Sequence, residues 1–466
     1  MSLNAKELPF TTMKGRMAVA ETPALSPSLA YAKLKDAFLI LVMVFVFSLT
    51  HNAYSSTSVG YFAMPTVTSA QPASKLMQRP LLRLAFRPFF LLAALFSVVS
   101  LLVWLAFWHG NILLRPYGGL VFWHQHEMLF GFAAAVVGGF LLTAVRNWTG
   151  LPSLNGGPLL GLVLLWLLGR VLMAFPMGLP GWLLLAVDLT FLPVVAVVMA
   201  RLVITAKRWR NLIFIPALLL FAAANLAMHL GVMKGNAELI RQAAYLAVLL
   251  ITLMMTVVGG RVIAMFTANR LGRTKPEPIP LLEGVTLVST AGVVLLQLAI
   301  MLGVAVPALL LGGVMLLAAL ANTVRMARWG GLHSWREPLL WGLHGSYACI
   351  PLGLIMWVLA LMGLMRTELA VHALTIGGMG TMMLAMMARV SLGHTGRPIR
   401  TLPGIGVALG LMLIAAMVRS PVLAFFPQIT HWTYTLSIIF WCMAYTIFLM
   451  HYTWPLMQAR VDGQDG

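Results

Sequence analysis

The chain has 466 residues, 61% of them hydrophobic and only 9% charged, with a mean hydropathy of +0.92. A water-soluble fold of this length could not hide so much apolar surface, so lipid is the solvent for most of it. The formal charge of +19 does not point to nucleic acid, because no compact basic domain stands apart to grip it; basic loops orient a membrane protein instead.

In chain order, residues 1–76 are polar and weakly patterned apart from one apolar run, FLILVMVFVFSLT (38–50). That run is short of the roughly 20 residues a span needs, and no small-residue cleavage site follows it. An over-extended start is the preferred reading, with the natural protein beginning near Met77. From Phe89 onward, long apolar runs alternate with short breaks rich in Pro, Gly, Arg and Asn. They predict twelve helices at 88–108, 121–144, 158–175, 181–200, 211–233, 240–260, 281–302, 305–325, 338–362, 368–390, 401–418 and 431–456. The expected organisation is an extension over 1–76 and one membrane domain over 77–466. The fold class is all-α: a polytopic transmembrane bundle with no visible repeat or separate soluble domain.

Counting Lys and Arg orients it. With the N-terminus inside, the inner segments hold twenty and the outer segments five. By the positive-inside rule both termini are cytoplasmic.

The two cysteines, Cys349 and Cys442, both lie in apolar runs. They leave no disulfide framework, no four-Cys cluster and no C-x-x-C-H for covalent haem. Any redox cofactor is therefore non-covalent haem or a His-bound metal.

With sidedness assigned, WHQHEMLFGF (123–132) becomes informative. His124 and His126 fall about 5–8 Å below the outer end of the second helix. His229, near the end of the fifth helix, and His372, near the start of the tenth, fall in the same layer. Ionisable groups at membrane depth are functional by default, and neutral imidazole is a common metal ligand; the competing reading is an interfacial His bonding a neighbour's carbonyl. Residues two apart on a helix point about 200° away from each other, so His124 and His126 are expected to serve different centres on either side of it. Glu127, three residues from His124, is expected to share that residue's face. It is read as an orienting group, a metal ligand or a proton relay, or as a plain helix-start carboxylate. Arg170 and Asp188 fall at similar depth on adjacent antiparallel helices. They read as an ion pair between spans, with a haem propionate as the alternative partner of Arg170. Gly377, Gly378 and Gly380 either leave room for a flat macrocycle or permit close helix packing. His344 and His394 fall toward the cytoplasmic side, and His51, His109, His333, His431 and His451 have no identifiable partner.

Several stretches together resemble the NnrS family of bacterial inner-membrane proteins, over about residues 80–456. They are FRPFFL (86–91), WHQHEMLFGFAAAVVGGFLLTAVRNWTG (123–150), ANLAMHL (224–230), GGRVIAMFT (259–267), LHGSYA (343–348) and AVHALTIGGMGTMMLAMMARVSLGHTGRP (370–398). The second and last are long and specific. The resemblance implies a twelve-helix protein with b-type haem and copper, linked to nitric oxide metabolism in denitrification or nitrosative-stress defence. It implies candidate ligands at His124, His126, His229, His344, His372 and His394, without dividing them between cofactors. One departure lies at the exit of the second helix, where the family leads one to expect Pro before Asn147 and this chain has Arg146.

The function expected is to bind or convert nitric oxide or a related species, in a pocket between the second, fifth and tenth helices. Such an apolar ligand partitions into lipid. If the protein is an oxidoreductase, Glu127 is the expected proton donor and an external partner supplies electrons. The rivals are a twelve-helix secondary transporter, which should show related halves and broken midplane helices, and a haem-bearing sensor or assembly protein without turnover.

Overall fold

The apolar runs become helices because only internally hydrogen-bonded segments can cross lipid. In the computed structural model, residues 79–464 are described. The expected extension at 1–76, its apolar run and Met77 lie outside the described residues. Twelve helices are long and apolar enough to cross a membrane, and no strand occurs among the described residues. They are α1 (Phe86–Trp108), α2 (Gly119–Thr149), α3 (Gly156–Ala174), α4 (Gly181–Thr205), α5 (Trp209–Met233) and α6 (Ala237–Leu271), followed by α7 (Pro280–Met301), α8 (Ala308–Ala327), α9 (Pro338–Leu361), α10 (Thr367–His394), α11 (Ile405–Phe425) and α12 (Pro427–Met457). The chain is a multi-pass helical membrane protein.

Local chemistry sets the ends. Asn236 caps α6 by accepting from the Leu239 N–H at 2.9 Å, and Gly272 closes it with φ +62°, a conformation that favours glycine. Pro280 and Pro338 start α7 and α9, where their missing N–H is not needed. The largest correction to the expected spans is α6, which runs eleven residues beyond 260. Gly259 and Gly260 look like breakers but are close-approach points. A Cβ on Gly259 would lie 2.9 Å from the Tyr347 ring, and one on Gly260 would overlap the Arg325 guanidinium.

Enclosure is uneven, and this positions the site. In the most apolar window of α2 83% of the residues are buried inside the protein, and in that of α10 78%, against 33% for α7. On α7, Leu281, Val288 and Leu295 recur every seven residues and are 78%, 73% and 61% exposed. That stripe faces lipid, so its exposure costs nothing in a bilayer. The interior is organised around α2, α6, α9 and α10, with α1, α11 and α12 closing one side.

Candidate functional site

Three of the twelve helices change their hydrogen-bonding period at one place each, giving π-helical segments at Glu127–Ala133 in α2, Ala373–Gly380 in α10 and Val418–Val422 in α11. Such segments mark functional sites disproportionately often. Each begins at or beside a residue of interest: His126 and Glu127, His372, and Arg419. The carbonyls are not abandoned to lipid. The Trp166 indole N–H donates to Gly131 O at 3.0 Å, and the Tyr445 hydroxyl donates to Gly380 O at 2.9 Å.

All three π segments contribute to a cavity of about 300 Å³. Its walls are mostly apolar: Leu101 and Trp104 from α1, Met128 and Leu129 from α2, Val248 from α6, Ile376 and Met379 from α10, and Ile438 and Trp441 from α12. Into it face His124, His372, Arg241, Glu368 and Arg419. His372 Nδ1 donates to the Glu368 backbone carbonyl at 2.6 Å, which fixes the tautomer and leaves Nε2 as a free lone pair. His124 lies flat on Trp104, with centroids 4.3 Å apart and planes 10° apart. Arg419 is buried, sits 3.5 Å over the Tyr434 ring and has no carboxylate partner among the described residues. Its Nη1 makes no hydrogen bond.

The opposite side of α2 carries a second constellation, wholly buried. His126 Nδ1 lies 2.9 Å from Glu127 Oε1, and its Nε2 lies 2.8 Å from Asn225 Oδ1 and 3.1 Å from Asp188 Oδ2. His229 Nε2 approaches the same Asp188 oxygen at 3.2 Å, and Asn225 Nδ2 donates to it at 2.7 Å. Arg170 bridges the carboxylates, donating to Glu127 Oε2 at 2.7 Å and to Asp188 Oδ1. Tyr117, in the loop before α2, stacks on His229 with centroids 5.5 Å apart. Burial raises its phenol above the ordinary value.

The four outer-layer histidines are therefore found as two pairs, His124 with His372 and His126 with His229. Glu127 departs from expectation: it contacts His126 and Arg170, not His124, and does not line the cavity. The hydrogen bonds to His126 and Arg170 draw its carboxylate to the other side. Arg170 is committed to two carboxylates, so the cations facing the cavity are Arg419 and Arg241. The glycines of α10 serve close packing: a Cβ on Gly377 would lie 2.5 Å from Cys349 Sγ, and one on Gly380 would lie 2.4 Å from Trp441. His344 and His394 line neither constellation. His344 Nε2 is 2.9 Å from Thr267 Oγ1, and His394 tilts against Phe86. His109 and His431 do have partners: His109 Nε2 meets Thr435 Oγ1 at 3.1 Å, and the two imidazoles meet edge to face.

Sequence reading missed Asn225, Arg419 and Trp104. Asn225 carried a signal, since it lies four residues before His229 and so shares its face. Arg419 carried one too, as a cation followed by Ser-Pro within an apolar run; counting it as a loop charge concealed this.

A family model described as NnrS protein matches residues 80–460. The chain belongs to the NnrS family. The match takes in all twelve helices. Both constellations thus lie on the NnrS portion of the chain. Among curated proteins there is no match.

Proposed function

We propose that this NnrS-family protein holds a b-type haem in the cavity between α1, α2, α6, α10, α11 and α12, and there binds nitric oxide or a related reactive nitrogen species. The observation that carries the reading is the donor set on one apolar cavity: two imidazoles, one with its Nε2 lone pair free, beside a buried arginine without a carboxylate partner. Those residues fit the group. His124 and His372 would ligate the iron, and Arg419, with Arg241, would meet the propionates. Haem iron supplies a site that binds diatomic ligands. The chain's own part is to fix the ligand tautomer through the Glu368 carbonyl, to exclude water with Leu, Ile, Met and Trp, and to neutralise the carboxylates. Reduction of nitric oxide, as opposed to binding, requires an external electron donor, because the side chains lining the cavity supply no reductant. The membrane implied by the family is the bacterial cytoplasmic membrane, with both termini on the cytoplasmic side.

The test is an optical spectrum of the detergent-purified protein, oxidised, dithionite-reduced, and reduced with nitric oxide. Sharp b-type bands that shift with nitric oxide support the reading. A featureless spectrum after expression with ample haem overturns it and favours transport.

A further inference from the structure

A second cavity, of about 80 Å³, lies between α1, α2, α5, α6 and α10, and every side chain that lines it is apolar. Five of its thirteen lining residues are methionines: Met254 and Met255 from α6, and Met382, Met383 and Met386 from α10. An apolar void without polar partners stays dry and accepts a small apolar guest, and at about 30 Å³ for a water-sized molecule this one has no room for an acyl chain. Methionine suits such a wall, because its unbranched thioether shifts readily around a guest. The rim residues Val137, Phe140, Val258 and Met386 are half-buried, whereas Met254, Met255, Met382 and Met383 behind them are buried. The rim lies in the interior of the spans α2, α6 and α10, so the mouth faces hydrocarbon.

The back of this cavity abuts the cavity of His124 and His372. Along α10, Ile376 and Met379 line that cavity, and Met382 and Met383, about one turn on, line this one. Along α6, Val248 and Ile251 divide in the same way. The partition is thin at Gly378, in the π segment beside Met379. A Cβ there would lie 3.2 Å from Met255 Cε, so the absent side chain is what seats the Met255 methyl against α10.

We propose that the methionine cavity is a gas site, through which an uncharged diatomic molecule passes from the bilayer to the cavity of His124 and His372. The guest enters between Val258 and Met386, waits among the methionines and crosses beside Met255 and Gly378. Water and ions are refused, because nothing in the wall replaces their hydrogen bonds. A ligand that concentrates in lipid thereby reaches the cavity from its side, without passing the charged groups Arg241, Glu368 and Arg419.

The destination rests on the haem reading, and the test separates the two. The full chain in lipid nanodiscs is reduced and loaded with carbon monoxide, and rebinding is followed after flash photolysis. Val258→Trp, which fills the mouth from a half-buried position, should slow bimolecular rebinding roughly five-fold or more with the haem spectrum unchanged. Met255→Ala, which thins the partition, should quicken it roughly two-fold. Val288→Trp, on the lipid-facing stripe of α7, should leave it unaltered. An unaltered rate in Val258→Trp, or equal slowing in Val288→Trp, overturns the route; an unaltered rate in Met255→Ala overturns the crossing at Met255. A second readout needs neither haem nor a variant: crystals of the unaltered chain pressurised with xenon should show xenon among the five methionines. A cavity that stays empty under xenon, or that holds a lipid chain, overturns the gas site. A featureless haem spectrum with xenon in place would sink the haem reading and leave the gas site standing.

Discussion

Arg170 bridges two carboxylates, and all three groups are buried. Removing one partner of such a set leaves uncompensated charge in a medium that cannot solvate it, a loss of about 3–5 kcal/mol. Arg170→Met should therefore lower the detergent melting temperature well below that of the unaltered protein. Arg241→Met, which breaks an exposed pair with Glu238, should change it little, since exposed pairs contribute at most about 1 kcal/mol. Equal effects would mean that Glu127 and Asp188 find other compensation. For the cavity, His372→Ala should remove most of the haem absorbance, whereas His333→Ala, in the connection between α8 and α9, should leave it intact. Equal haem content in both would remove His372 from the ligand set. The histidines were legible as residues because imidazoles are rare at membrane depth. Their pairing was not, because it depends on which neighbour each ring meets. Asp188 was read as an ion-pair partner, and its second oxygen acquired meaning only when α5 brought Asn225 and His229 against it.

At the scale of the element, helical-wheel reasoning succeeded for the opposed faces of His124 and His126 and failed at Glu127, whose direction is decided by its hydrogen bonds to His126 and Arg170. The π segment of α2 also requires Gly131: a Cβ there would lie 2.6 Å from Phe96, 2.8 Å from Glu127 Oε2 and 2.9 Å from Arg170 Nη1. Gly131→Ala is expected to separate Arg170 from Glu127 and to lower melting by several degrees. Gly410→Ala, where a Cβ would meet nothing within 4 Å, should be neutral or slightly stabilising, because alanine is the better helix former by about 1 kcal/mol. If the two variants melt alike, Gly131 is not the constraint described. The same physics accounts for the misplaced end of α6. Glycine marks a break where the chain turns and a close approach where helices touch, and only the neighbouring Tyr347 and Arg325 distinguish the two.

For the whole molecule, the Lys and Arg asymmetry leads to a prediction independent of any cofactor. A fluorescent protein fused after residue 466 should fluoresce, and an alkaline phosphatase fused there should be inactive; the reverse pattern would put the C-terminus outside. The cavity also predicts a division of labour among variants. Arg419→Gln should weaken haem retention several-fold without disturbing the buried cluster across α2, because its guanidinium meets no carboxylate that its loss would strand. Haem loss that requires mutation of both Arg419 and Arg241 would show that the propionate role is shared.

The sequence by itself determined the solvent, the helix class, the number of spans, the family and the layer in which the reactive side chains lie. Each follows from composition, run length or a residue too costly to place in lipid without a partner. Only the tertiary structure decided that the four imidazoles are two pairs, that Arg170 belongs to carboxylates and Arg419 to the cavity, and that Glu127 faces away from His124. Those outcomes turn on the direction each side chain takes from its helix and on contacts between helices, which in the buried cluster join residues 18 to 99 apart. Neither leaves a periodic trace along the chain.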